Sequence, residues 1–324
     1  MSKIAVIGLN TFKEAVRNKV LYFLLIFSVL IIGLSTVMSD LSVAGPDKII
    51  KNFGLASIDI FGFLIAVFVG VYLVYNELDR KTIYTIVSKP IDRNQFLLGK
   101  FFGLLFTIYV NIAIMTLVLF AVLYFREATQ HDVLSKAIWK EGADGEFVQV
   151  QSTAVYYLKS IGLSVVKSVG TMIGVYTVPL TAGLMKVVLM SALSLAILTA
   201  FAIFYSTFST PTLSAVFTFL TFIIGSLAED IMRFAERLSE TAGGVQALEG
   251  SNVIKYWFAR AIVHIVPNLE YFNLRMEAVY GAPDVTAAMT GPPLLAWQSV
   301  LYGITYTIGI LCLACIIFRR RSFK

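Results

Sequence analysis

Apolar residues gather into six long stretches, at 20–38, 55–75, 101–125, 185–205, 212–228 and 294–318, with the charged residues concentrated between them. A helix of about 17–25 apolar residues is long enough to cross the hydrocarbon core of a bilayer. The pattern therefore predicts six membrane-spanning helices, of which 212–228 is the shortest. A further apolar stretch, 161–183, carries Lys167, Pro179 and several glycines. Counting it as a span would move everything downstream to the opposite side, so it reads as an interfacial or partly re-entrant segment packed on the bundle.

The polar segments have patterns of their own. Over residues 3–19 a period of 3.6 puts Ile4, Ala5, Leu9, Phe12, Ala15 and Val16 on one face and Lys3, Asn10 and Arg17 on the other. This predicts an N-terminal amphipathic helix lying in the headgroup layer. It serves either as a simple anchor or as an elbow that passes movement into the first span. Between spans two and three, residues 82–88 allow about two helical turns, and Pro90 ends them by restricting Lys89. Asp92 then stands three residues before Gln95, a capping pattern that starts the next helix. Gly99 and Gly103 lie one turn apart and permit close approach of another backbone. Of the two long outer segments, 126–184 holds a Gly-Ala-Asp-Gly turn at 142–145. The other, 229–293, opens with an amphipathic helix pairing Glu229 with Arg233, and a second helix is expected over 253–266, ended by Pro267. Both are expected to cap the bundle from outside.

Composition narrows the class. A chain of 324 residues has room for one to three soluble domains, but 58% of its residues are hydrophobic and only 14% charged. Soluble proteins carry about 25% charged residues. With a mean hydropathy of +0.81, the chain is a polytopic, all-α membrane protein, a single transmembrane domain over 1–324. Residues 1–19 are too long a polar lead for a cleavable signal peptide. The net charge of +6 is an orientation signal rather than a nucleic-acid footprint. With both termini cytoplasmic, the short inner segments 1–19, 76–100, 206–211 and 319–324 hold half of the 26 basic residues, as the positive-inside tendency requires.

Catalytic chemistry is sparse. His131 and His264 fall in different outer segments, and no metalloprotease, nucleophile-elbow or dinucleotide pattern occurs. Gly99-Lys100 lacks the upstream glycine and following Ser or Thr of a phosphate-binding loop, so any ATP site belongs to another polypeptide. Cys312 and Cys315 share a helix face without a third ligand and read as packing residues rather than a soft-metal site. Asp59 and Lys186 sit near the outer starts of spans two and four and are expected to snorkel to the headgroups. Spans one, three and six carry no acid, which disfavours a proton- or sodium-driven pump.

The 76–100 loop resembles that of the permease subunit of a type-2 ABC transporter, through Glu77, Thr82, the Pro90-x-x-Arg93 turn and Gly99-Lys100 leading into the third span. The opening Asn10-Thr11-Phe12-Lys13-Glu14, the short turn at 206–212 and the terminal Phe318-Arg319-Arg320 are similar to that family as well. The resemblance covers most of the chain, although the 126–184 region is longer than in compact members. It implies a non-catalytic, six-span, multi-pass subunit in a bacterial inner membrane, surrounded by lipid and pairing with a second permease chain, as a homodimer. It also implies a separate cytoplasmic ABC ATPase that binds ATP and Mg, with no cofactor in this chain. The 76–100 loop would dock on the ATPase through Glu77, Arg80, Lys81, Thr82, Pro90, Arg93, Gly99 and Lys100. Lys3, Phe12 and Arg17 would belong to the elbow helix. The alternatives are a mechanotransmitting subunit acting on a periplasmic partner and a stand-alone secondary transporter or assembly scaffold.

Overall fold

A computed structural model describes residues 3–40, 46–79, 92–136, 139–141, 147–149, 179–241, 250–280 and 296–320. The fold is all-α, built from α1 (Lys3–Val16), α2 (Lys19–Asp40), α3 (Pro46–Asp79), α4 (Arg93–Lys136), α5 (Pro179–Ser206), α6 (Pro211–Ser226), α7 (Ala228–Thr241), α8 (Ser251–Ile265), α9 (Arg275–Tyr280) and α10 (Ala296–Arg320). One short antiparallel ribbon, β1 (Trp139–Glu141) with β2 (Phe147–Gln149), flanks the turn expected at 142–145. That turn itself, like 161–178, lies outside the described residues.

Among the described residues, five stretches are long and apolar enough to cross a membrane: Lys19–Ser39, Lys48–Tyr72, Asn94–Arg126, Gly183–Ser206 and Trp297–Arg320. The centre of the bundle is α5, which is apolar on every side. Leu195, Ala196, Ile197, Leu198, Ala200, Phe201, Ala202 and Ile203 are all buried, and α3 lies against it with Phe63, Ile65, Ala66 and Val69 buried. The peripheral α2 turns Phe23, Ile26, Leu30, Leu34 and Val37 outward, each more than half exposed. This stripe along one face is what a lipid-facing helix presents. Hydroxyls inside the spans bond to their own helix: Thr107 to the Gly103 carbonyl, Thr199 to Leu195 and Thr307 to Gly303. Their polarity is thereby met without water.

The expected fifth span needs correction. At 16 residues, α6 is about 24 Å long, short of a hydrocarbon core of about 30 Å. It bends by 57° into α7, and only the pair together reaches the length of a crossing. The cause lies at Gly225. Leu269 donates its N–H to the Gly225 carbonyl at 2.9 Å, and a Cβ on Gly225 would stand 2.7 Å from the Pro267 carbonyl oxygen. A chain segment is thus seated against the last turn of α6, and the helix axis breaks just beyond it.

That segment follows the two helices of 229–293 expected to cap the bundle, and it behaves differently from them. The predicted outer helices form as α7 and α8 and pack on each other through Ala235, Tyr256 and Ala259. Arg233 lies 3.8 Å from Glu229 and 3.3 Å from Asp230. After α8, however, the chain enters the bundle: Leu269, Phe272 and Val279 belong to the main core. The Tyr302 hydroxyl accepts from the Asn268 N–H at 3.0 Å, and Tyr306 donates to the Ile265 carbonyl at 2.7 Å, pinning the segment to α10.

Gly225→Ala forces backbone against backbone and should lower stability by about 1–3 kcal/mol. Gly309→Ala, where a Cβ meets nothing within 4 Å, should leave stability unchanged or slightly raised. Thermal unfolding of both variants in the same detergent checks the contrast.

Candidate functional site

Of the residues singled out at 76–100 and 1–19, Gly99, Lys100 and Phe12 meet at the first turns of α4. Asp92 precedes that helix and its carbonyl accepts the Phe96 N–H at 3.1 Å, the backbone pattern of a helix start. Arg93 is the first residue of α4 and Glu77 lies near the end of α3. The side chains of both, and the whole of Arg80, Lys81, Thr82 and Pro90, lie outside the described residues.

Gly99 and Lys100 are described, and both are buried beneath α1. A Cβ on Gly103 would fall 2.5 Å from the Gly8 carbonyl oxygen, and one on Gly99 would fall 2.7 Å from the Ile7 side chain. The backbone that the Gly99–Gly103 spacing admits is therefore that of the N-terminal helix. On the α1 side the matching residues are small: Gly8, Thr11 and Ala15 are buried, at intervals of three and four. The face read from the sequence is divided by this crossing: Ala15 lies buried in it and Phe12 beside it, while Leu9 points out. The bulky residues Val6 and Leu9 are 53% and 47% exposed and turn away from the protein, because a close helix crossing requires small side chains at its centre. Phe12 flanks the crossing, edge-on to Phe106 with ring centroids 4.7 Å apart. Lys3 and Arg17 are exposed.

Charge reinforces the seat. Lys100 Nζ lies 3.6 Å from Glu14 Oε2, with the lysine side chain 2% exposed and the glutamate 37%. Phe96, one turn earlier, stacks on Phe318 near the end of α10 at 6.3 Å. The start of α4 thus joins α1 to the C-terminal helix. The link from α1 to α2 is only Arg17 and Asn18, and Asn18 Oδ1 accepts the Val20 N–H at 3.0 Å, capping α2. With so short and so capped a joint, α1 cannot shift without loading α2.

Three polar features lie away from this seat. Asp59, expected to snorkel, instead pairs with Arg275 at 2.5 Å. α3 begins at Pro46, which sets Asp59 about 20 Å along the helix, and the inserted 265–280 segment brings the arginine to it. Sequence reading missed Arg275, which stands between Glu270 and Glu277 in the outer segment and carried no local sign of a distant partner. It missed Asn111 too, an amide in the middle of the third span. Asn111 is 4% exposed and donates to the Thr107 carbonyl at 2.8 Å, while its Oδ1 meets no donor among the described residues. The cysteines are unpaired thiols, Cys312 exposed and Cys315 half-buried. No cluster of three metal-ligating side chains occurs among the described residues. Of the two histidines, His264 is exposed on α8, its ring nitrogen 2.7 Å from the Arg260 carbonyl.

The family model described as ABC-2 family transporter protein matches residues 6–323. The chain belongs to that family. No curated protein matches it.

Glu14→Gln leaves the ammonium of Lys100 buried without this carboxylate, whereas Lys100→Met removes the buried charge itself. Glu14→Gln should therefore cost about 1–3 kcal/mol, discounted from a fully buried pair because the glutamate is partly solvated. Lys100→Met should cost less. Equilibrium unfolding of the two variants tests the order.

Proposed function

We propose that this member of the ABC-2 transporter family is the permease subunit of an ABC exporter, driven by a separate cytoplasmic ATPase that supplies the ATP and Mg site. In this reading the chain is a non-catalytic, multi-pass subunit of a bacterial inner membrane with both termini in the cytoplasm, and it works as a homodimer. A same-side placement of the termini needs the bent α6–α7 pair to serve as the sixth crossing.

The observation that carries the proposal is the seat of α1 on the first turns of α4. The ATPase would dock on the 76–100 loop, whose downstream end becomes α4 at Arg93. A push on that loop reaches Gly99, Lys100 and Gly103 within three helical turns. The glycine crossing and the Lys100–Glu14 pair pass it to α1, and the capped two-residue joint passes it to α2. The upstream end of the loop feeds α3, a core helix. Closure of the ATPase pair would then move α1, α2 and α4 against the buried α3–α5 centre and open a route outward.

A second reading keeps the ATPase and replaces export with mechanical work on a partner outside the membrane. The face of α8 favours it, since Ile254, Trp257, Phe258 and Ile265 are each 57–73% exposed. Under that reading Trp257→Ser with Phe258→Ser abolishes partner capture while ATP hydrolysis persists.

For the coupling proposal, Pro90→Ala with Arg93→Ala should weaken retention of the ATPase by about thirtyfold, the scale of one interface hot spot. Gly103→Leu should leave the ATPase bound but abolish the dependence of its hydrolysis on this chain. Co-purification and ATP turnover of the reconstituted complex measure both. Retention and turnover at wild-type levels in both variants would remove the basis of the proposal.

A further inference from the structure

An open cleft of about 850 Å³ lies beside the elbow, lined by Glu14, Arg17, Asn18 and Lys19 on its polar lip and by Val67, Phe68, Val71, Ala215 and Val216 on its apolar wall. Three boundaries meet here. Lys19 opens the first apolar crossing, Tyr72 closes the second, and Pro211 opens α6. The lip therefore sits where hydrocarbon gives way to headgroups. Val67 lies five residues, or about 7 Å, further in from Tyr72.

The polar lip is electropositive for independent reasons. Arg17 and Lys19 are exposed, and among the described residues neither has an acid within ion-pair distance. The acid on the lip, Glu14, is already neutralised by the buried Lys100 at 3.6 Å. Two helices also present their positive ends to the cleft, through Lys19 and Val20 of α2 and through Pro211 and Thr212 of α6. The α6 terminus has no side-chain cap from Thr210; Pro211 brings no N–H, so the amides of Thr212 and Leu213 are the ones that face an external acceptor. Below the lip the wall is apolar and partly open, with Phe68 52% and Val216 49% exposed. The volume falls within the range of about 300–1,000 Å³ typical of small-molecule sites.

From this arrangement we infer that the cleft binds one anionic membrane phospholipid, its phosphate held by Arg17, Lys19 and the α6 N-terminus and an acyl chain laid along Val67, Val71 and Ala215. The lipid fills the gap between the elbow and α6 and fixes the angle at which α1 meets α2. The inference needs only that the chain spans a membrane. It is tested without any ATPase, so its failure leaves the coupling proposal standing.

The experiment is native mass spectrometry of the purified full chain in detergent, titrated with phosphatidylglycerol, phosphatidylcholine or inorganic phosphate. The expected result is one phosphatidylglycerol retained per chain, no retained phosphatidylcholine, and no displacement by millimolar phosphate. Each cation near a membrane surface is worth about 1 kcal/mol, so Arg17→Ser with Lys19→Ser should weaken retention roughly thirtyfold. Ala215→Trp, which fills the apolar wall, should block retention with both cations in place. Equal retention of the two lipids by the wild-type chain would overturn the inference, and so would retention unaffected by Ala215→Trp. Displacement by phosphate would show a free-anion site instead. Retention by the monomer and exclusion from a dimer would show that a second copy occupies the cleft.

Discussion

The contact of α1 with α4 at Gly8, Gly99 and Gly103 ties together the end of the bundle that the functional reading needs. A Cβ at Gly103 would stand 2.5 Å from a backbone oxygen, so the two helices meet backbone to backbone. Everything else at that end is arranged around this crossing. Glu14 reaches the buried Lys100, Phe12 covers Phe106, and Phe318 stacks on Phe96. In hydrocarbon, apolar side chains gain little by leaving lipid for protein, so helix association depends on close packing of small residues and on satisfied polar groups. An amphipathic helix that merely floated on the membrane would have no use for a glycine seam. The seam makes α1 part of the bundle and makes the start of α4 the point where α1, α10 and the 76–100 loop meet.

The same solvent constraint explains where polarity is allowed. Serine and threonine hydroxyls along the spans donate to carbonyls one turn back, and Asp59 is met by Arg275 from an inserted segment. The insertion has a geometric consequence: the chain around Pro267–Leu269 occupies the end of α6 at Gly225, and the crossing there becomes a bent pair of helices. One close approach thus decides both the irregular crossing and the partner of the acid in α3.

Much of this was legible in the sequence, because the signals that carry it are long and periodic. Five of the six apolar stretches became single helices, the 206–212 turn fell between α5 and α6, and the Asp92 boundary marked the start of α4. The Gly99–Gly103 spacing announced a close approach without naming its partner, since spacing says nothing of what lies across the contact. The face of α1 was legible only in part, for a related reason: Ala15 and Phe12 pack on the bundle and Leu9 does not. Hydrophobic periodicity ranks Leu9 above Gly8, but it does not distinguish a surface that faces lipid from one that faces protein when both are apolar. Asp59 was assigned to the headgroups because Arg275 lies more than two hundred residues away, and no local pattern connects them. Asn111 carried a signal that was there to be read, a lone amide amid apolar residues. The stretch from Arg80 to Pro90, to which the proposal assigns ATPase docking, lies outside the described residues, and family membership and the anchoring of its downstream end support that assignment.

Transmission of work from a separate ATPase is the central proposal, and its most direct test is the composition of the complex in the native membrane. The chain should be extracted in mild detergent, its partners weighed against it by quantitative mass spectrometry, and the preparation assayed for ATP hydrolysis. A nucleotide-binding subunit in stoichiometric amount, with hydrolysis that co-migrates with the complex, is the predicted result. A well-behaved chain that purifies alone and shows no ATP turnover would contradict the account and make the α1–α4 seat the framework of a stand-alone carrier or scaffold.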